Sequence, residues 1–407
     1  MSEISATSSG PAPGSGGLNV DKGVVLVVAL LMVLAAQVIG QVISPRQSLL
    51  FLIGGLLGAT LYHASFGFTG GWRRMVVERR GRAMRAQMLM IAVAAIAFMP
   101  LLAMGNVFGQ PLVGAMAPVG VSVLVGAALF GLGMQLGGGC GSGTLFTVGG
   151  GSARMLVTLL FFIIGAVAGT AHLPYWLTLP ALPPTSLGTL FGVPGGVAVT
   201  VLGLAAIAGV TALVERSRHG SLEAAPRPAR KGLERLLHGP WPLVGAGLAL
   251  AALNLATLLL AGHPWSITYG FGLWGAKLAQ AVGVPVASWE FWTWPAQASA
   301  LNDSVLADTT SVMNFGIILG AALTAGLAGK FAPKVAVPLL SLLAAALGGL
   351  LMGYGARLSF GCNIGALFSG IASGSLHGWL WFAAAFVGSL AGVYARPLFG
   401  MDGFKRS

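Results

Sequence analysis

Residues 128–146 read ALFGLGMQLGGGCGSGTLF, and residues 350–368 read LLMGYGARLSFGCNIGALF. At a constant offset of 222, Gly131, Gly133, Leu136, Gly139, Cys140, Gly143, Leu145 and Phe146 coincide with Gly353, Gly355, Leu358, Gly361, Cys362, Gly365, Leu367 and Phe368. Eight identities fall within the sixteen positions from 131 to 146, and they include the only two cysteines of the chain, so the two stretches are copies of one unit. Downstream, with one residue inserted, Gly165-x-x-x-Gly169 matches Gly388-x-x-x-Gly392. Upstream, Phe66-Gly67-Phe68 resembles Tyr269-Gly270-Phe271 and stands in the same order before the stronger repeat.

Working outward, the copies sit among apolar runs of the length needed to cross about 30 Å of hydrocarbon. Ten such runs lie near 23–43, 48–66, 84–104, 117–138, 154–173, 194–214, 241–261, 311–329, 335–357 and 377–396. The basic residues orient them. Arg73, Arg74, Arg79, Arg80, Arg82 and Arg85 follow the second run, Arg154 the fourth, and Arg216, Arg218, Arg227, Arg230, Lys231 and Arg235 the sixth. Lys330 and Lys334 follow the eighth, and Lys405 and Arg406 the tenth, whereas the alternate loops hold only Arg46 and Lys277. The positive-inside rule therefore predicts cytoplasmic termini. Cys140 ends the fourth run and Cys362 the ninth; five crossings apart, the copies point in opposite directions, an inverted-repeat plan found in transporters. Cys140 is then approached from the cytoplasm and Cys362 from outside.

The composition agrees. Of 407 residues, 56% are apolar and 8% charged, with mean hydropathy +0.86, which excludes a cytosolic enzyme, a disordered chain and a secreted disulfide scaffold. The net charge of +12 is carried by membrane loops, and no basic segment interleaved with aromatics lies elsewhere, so nucleic acid is not an expected partner. The expected fold is all-α: a polytopic membrane helix bundle of about ten transmembrane helices plus short re-entrant helices, in two inverted repeats. Its expected parts are a disordered tail at 1–19, membrane repeat 1 at 20–214, a basic cytoplasmic linker at 215–240, membrane repeat 2 at 241–398 and a C-terminal tail at 399–407. The longest external loop, 286–310, carries Trp289, Phe291, Trp292 and Trp294 and reads either as an interfacial aromatic belt or as a lid.

Gly137-Gly138-Gly139-Cys140-Gly141-Ser142-Gly143 cannot continue a helix, because each glycine costs up to about 1 kcal/mol relative to alanine there. A short apolar stretch, Thr144–Val148, follows and resembles a re-entrant half-helix; Phe360-Gly361-Cys362-Asn363-Ile364-Gly365 reads the same way. Broken backbone at membrane depth survives only where protein or a polar cavity surrounds it. Two opposed half-helix N-termini would present free N–H groups to one anion without a basic side chain. Ser142, Thr144 and Asn363 add donors, and two cysteines at equivalent positions add weak S–H donors and polarizable sulfur. None of the ten Asp and Glu lies clearly inside a run, which disfavours a cation- or proton-coupled carrier. Arg357 either snorkels to the external face or favours anions on the path; His63 and His172 read as local hydrogen-bonding groups. No Cys/His cluster suggests a metal site, and no cofactor is expected.

At these residues the chain resembles the YeeE/YedE family of sulfur-compound transporters, which includes bacterial thiosulfate uptake proteins. The resemblance spans about residues 45–396, most specifically GGGCGSGTLF at 137–146, SFGCNIGALF at 359–368 and SFGFTGGWRR at 65–74. It implies an inverted-repeat bundle in the bacterial cytoplasmic membrane whose Cys140 and Cys362 hold thiosulfate in turn through S–H to sulfur hydrogen bonds. The implied substrate-binding set is Cys140, Cys362, Gly139, Gly141, Ser142, Gly143, Gly361, Asn363, Gly365, Phe68, Thr69 and Phe271. The family's thiosulfate transporters carry a third cysteine in the early segment; here Phe66-Gly67-Phe68-Thr69-Gly70 has none, and Thr69 offers an O–H in its place. The expected protein is therefore a transporter rather than an enzyme, embedded in lipid, with a cytoplasmic sulfur-carrier protein as a further candidate partner. The alternatives are a membrane thiol protein transferring sulfur through a cysteine persulfide, and a passive anion channel.

Overall fold

The computed structural model describes residues 20–225, 231–331, 333 and 337–403. The segment 1–19, Arg227, Arg230, Lys334, Lys405 and Arg406 lie outside the described residues. Among the described residues ten helices are long and apolar enough to cross a membrane: Lys22–Val42, Pro45–Val77, Arg82–Met104, Val121–Gly149, Ala153–Leu177, Leu187–His219, Leu243–Ala261, Thr309–Leu327, Leu339–Leu358 and Leu376–Phe399. They coincide with the ten apolar runs of the sequence, so the chain is an all-α multi-pass bundle. Strands among the described residues are two-residue pairs only, Asn106–Val107 with Gln110–Pro111 and Val119–Gly120 with Ala181–Leu182.

Local chemistry starts and stops these helices. Ser44 accepts from the Gln47 N–H while Pro45 opens the second span, and Ser152 caps Ala153–Leu177 through the Met155 N–H. The second span is really two helices, Pro45–Ala64 and Phe68–Val77, separated by Ser65 in the left-handed conformation. A matching short helix, Thr268–Ala281, follows the seventh span. Basic side chains close the carboxyl end of Val121–Gly137. Arg154 donates to the Gly137 and Leu136 carbonyls at 2.6 and 2.7 Å, and Arg396 to the Gln135 carbonyl at 2.6 Å, where a cation complements the helix dipole. Nearby, Glu215 is fully buried between Arg80 and Arg85 at 3.2 and 2.7 Å and ties the loop after the second span to the end of the sixth.

The core repeats itself. Helices Val121–Gly137 and Leu339–Leu358 cross so that Gly126 meets the Gly355 carbonyl and Gly133 meets the Gly348 carbonyl. The offset of 222 carries Gly126 forward to Gly348 and Gly355 back to Gly133, turning the first pair into the second with partners exchanged, so a pseudo-two-fold axis passes between the two helices. As numbers rise along one helix they fall along the other, from Ser122 with Leu358 to Gly133 with Gly348, so the helices are antiparallel and the repeats inverted. The outer neighbours obey the same operation. Gly131 lies against the Ala385 carbonyl as Gly353 lies against that of Phe162, and Gly388 against Ala128 as Gly165 against Leu350. A methyl at any of these four glycines would overlap a carbonyl, so the glycine excess buys backbone approach. The first and sixth spans are peripheral: Lys22–Val42 packs on Thr309–Leu327, Leu187–His219 on Arg82–Met104, and both leave leucines and valines facing outward.

Candidate functional site

The site is made where the two central helices end. Val121–Gly137 stops at Gly138, whose φ of +86° is the left-handed cap that glycine adopts without strain. The chain turns through Gly139 into extended backbone at Cys140, and a new helix, Gly141–Gly149, begins. The Cys140 carbonyl accepts from the N–H and the hydroxyl of Thr144, both at 2.8 Å, and its sulfur lies 3.4 Å from the Ser142 hydroxyl. In the other copy Leu339–Leu358 ends, Phe360 and Gly361 take φ of +57° and +153°, and Cys362 is the extended residue before the next helix. That helix, Asn363–Ser369, is π-wound and continues as Gly370–Ala372. The Ile364 N–H donates to the Cys362 sulfur at 3.4 Å.

The two half-helices meet head to head. A methyl built on Gly141 would lie 3.2 Å from the Cys362 sulfur, so the absence of a side chain at 141 leaves that thiol its room. Cys140 and Cys362 are 1% and 0% exposed, and Ser142, Thr144 and Asn363 are wholly buried. Asn363 is informative: its side-chain oxygen and nitrogen are both buried without a partner. An unmet buried polar group costs about 1–3 kcal/mol, which makes this amide a candidate ligand-binding group. Asn314 donates to the Ile267 carbonyl at 2.9 Å while its own oxygen is unpaired, and Ile267 also touches the position of Gly141. Gly143 faces the Cys140 sulfur, Gly365 faces Ser266, and Gly139 is covered by Met155.

The remaining sequence-nominated residues stand at the two ends of the central pair. At one end Thr69 is buried with its hydroxyl unpartnered, while its carbonyl accepts from Gln135 at 3.2 Å. Gln135 also donates to Ser389 at 2.7 Å and keeps its own oxygen unpaired. Phe68, beside Thr69, is buried and meets Phe66 edge-on at 6.3 Å. On this side a cavity of about 530 Å³ is lined by Gly67, Gly70, Arg73, Arg74, Arg82 and Trp241, among others. At the other end Phe271 meets Phe162 at 4.9 Å and Trp274 at 5.4 Å. Beside it the Arg357 guanidinium lies over the rings of Phe291 and Tyr269, at 4.8 and 5.6 Å. Its Nε is buried and unpartnered. Among the described residues no carboxylate pairs with it. A cation at membrane depth costs about 2.5–3.5 kcal/mol on insertion scales, which two aromatic faces only partly offset.

The loop over this end also departs from a simple aromatic belt. Phe291 and Trp292 are 2% and 1% exposed, and Trp292 donates to Thr170 at 3.0 Å, so both rings pack into protein, and Phe291 lies against the Arg357 guanidinium. Burial pushes the Asp308 carboxyl up, opposed by the Ser311 hydroxyl and N–H that it accepts at 2.6 and 2.7 Å. His63 packs at a tilt against Trp241, with ring centroids 5.3 Å apart, and His172 bonds the Tyr354 hydroxyl at 3.1 Å. Among the described residues no group of three or more His, Cys, Asp or Glu is placed to hold a metal.

Gln135, Asn314 and Ser266 were not nominated from sequence. For Gln135 a signal existed: the offset of 222 sets it opposite Arg357. Asn314 and Ser266 carry no motif and reach the site only through packing. Taken together, the arrangement offers an anion two helix N-termini, two thiols and an unpaired amide, with no carboxylate among these site groups to repel it.

The chain is similar to known transporters. The family model described as "Sulphur transport" matches residues 63–391. The chain is 27% identical over 334 residues to the thiosulfate transporter TsuA of Spirochaeta thermophila, covering 81% of this chain and 92% of that protein. It is 26% identical over 358 residues to the thiosulfate transporter TsuA of Escherichia coli, covering 85% and 94%. Over 153 residues it is 30% identical to the probable transporter YedE of Escherichia coli, covering 38% and 37%.

Proposed function

The chain belongs to the sulphur transport (YeeE/YedE) family, and from that premise we propose that it imports a small sulfur-containing anion, thiosulfate first among them, across the bacterial cytoplasmic membrane. The observation that carries this reading is the head-to-head meeting of the two cysteine half-helices, with Gly141 against the Cys362 sulfur. The relatives named thiosulfate transporters support the substrate.

In this reading both termini are cytoplasmic, Arg357 marks the external end of the path, and Thr69 with Gln135 marks the internal end. The anion leaves water, where its charge is solvated, and exchanges that shell for the N–H groups at the starts of Gly141–Gly149 and Asn363–Ala372. The thiols of Cys362 and then Cys140 donate S–H to its terminal sulfur, and the Asn363 amide donates to an oxygen. Soft, weak donors suit transit, since a site that binds too well does not release. Phe68 and Phe271 flank the two ends. Thr69 donates its unpaired hydroxyl where relatives in the family place a third cysteine. The repeats, read from the packing of the first span on the eighth and the sixth on the third, begin near Lys22 and Leu187, which supports five spans in each rather than a division at the 215–240 linker.

The neighbours of the sulfurs are a hydroxyl and a backbone N–H, not a base, which favours passage of the intact anion over a persulfide intermediate. Uptake of 35S-thiosulfate by liposomes holding the full chain tests the reading. Wild type is expected to saturate with substrate, and Cys140→Ala and Cys362→Ala each to lose uptake by about a hundredfold. Normal uptake in both variants would falsify the role of the thiols. Non-saturating conductance would identify a channel, and covalent sulfur on Cys140 by mass spectrometry a transfer protein.

A further inference from the structure

The pseudo-two-fold axis relates residue 135 to residue 357, and the match of Phe66-Gly67-Phe68 with Tyr269-Gly270-Phe271 relates residue 69 to residue 272. The structure places these partners together in both halves. Gln135 donates to the Thr69 carbonyl at 3.2 Å, and a methyl built on Gly272 would lie 2.5 Å from the Arg357 Nη2. The same junction is therefore built twice with sizes exchanged: a medium pair, Gln135 with Thr69, and a long side chain against none, Arg357 with Gly272. Glycine at 272 is what admits the guanidinium. The exchange puts a neutral amide at one junction and a guanidinium at the other.

Arg357 is not accounted for by the fold. Arg154 and Arg396 cap helix carbonyls, and Arg80 and Arg85 neutralise Glu215. Arg357 has a buried, unpartnered Nε, two aromatic faces and no carboxylate partner among the described residues, while Asp308, whose charge acts on Tyr269, is already engaged with Ser311. Five donors in a fixed fork match the oxygens of a tetrahedral oxyanion.

We propose that Arg357 is the outer anion-binding residue of the path, where its repeat mate Gln135 offers only a neutral amide at the inner junction, so that the anion is captured from dilute solution at the outer end. This inference rests on the import of a sulfur oxyanion proposed above. Arg357 sets the apparent affinity at the outer face and leaves the passage step at the cysteines unchanged.

Two measurements on the full chain test it. In liposomes, Arg357→Gln is expected to raise KM for external thiosulfate at least about tenfold with kcat within about threefold, and Arg357→Lys to restore KM to within about threefold of wild type. A KM for Arg357→Gln within twofold of wild type, or Arg357→Lys no better than Arg357→Gln, overturns the charge role. In the wild-type protein, thiosulfate or sulfate is expected to shield Arg357 from phenylglyoxal, read by peptide mass spectrometry; equal labelling with and without anion overturns the inference even if the variants fail to fold. Shielding without thiosulfate uptake by wild type would instead sink the transport reading and leave the anion site standing.

Discussion

The two cysteine-bearing halves are the same scaffold with different polar equipment. Gly131 and Gly353, Gly133 and Gly355, and Gly165 and Gly388 meet equivalent carbonyls in the two copies. The residues assigned above to the proposed path are not matched: Gly141 stands where Asn363 does, Ser142 where Ile364 does, Gln135 where Arg357 does, and Thr69 where Gly272 does. Backbone contacts under van der Waals constraint repeat, because one extra carbon at a glycine crossing has nowhere to go. In the proposed reading these positions differ because an anion crossing an inverted repeat meets the copies in sequence, not at once.

The comparison breaks most severely where the scaffold is shared. Gly353→Leu and Gly131→Leu are each expected to lose folded protein, since side chains forced against a carbonyl cost about 1–3 kcal/mol or more at each crossing. Thermal melting in detergent should fall alike for both; a normal melt for one alone would show that the copies do not bear equal load. Next comes Asn363→Ala, which makes the second half-helix resemble the first at 141. Uptake is expected to fall about tenfold while thermal stability holds or rises, because an unpaired buried amide is removed. A fall in both would assign Asn363 to structure. The smallest effect is at the inner end: Thr69→Val should slow uptake about two- to threefold, and Thr69→Cys should match or exceed wild type. Equal rates for all three at position 69 would remove its hydroxyl from the path.

Much of this was legible in the chain itself. The ten spans follow from runs that must satisfy their backbone bonds internally in lipid, and the observed helices fall on them. The breaks at Gly138 and Gly361 follow from glycine density, and both have positive φ. Other features were not legible. The short helices Phe68–Val77 and Thr268–Ala281 lie beside spans and lack a span's length, so only their aromatic-glycine starts were visible. The loop aromatics left both belt and lid open; the burial of Trp292 against Thr170 and of Phe291 against Arg357 was decided by neighbours more than a hundred, or some sixty, residues away.

By itself, then, the sequence determined the membrane class, the number of crossings, the inverted duplication and the two cysteine breaks, because each depends on local composition and period. Only the tertiary structure decided that Gly141 makes room for the Cys362 sulfur, that Asn363 is buried without a partner, and that Arg357 occupies the space its repeat mate's neighbour fills with Thr69. Those facts are distances and unmet hydrogen bonds between segments remote in the chain, and no residue states them until packing brings the segments together.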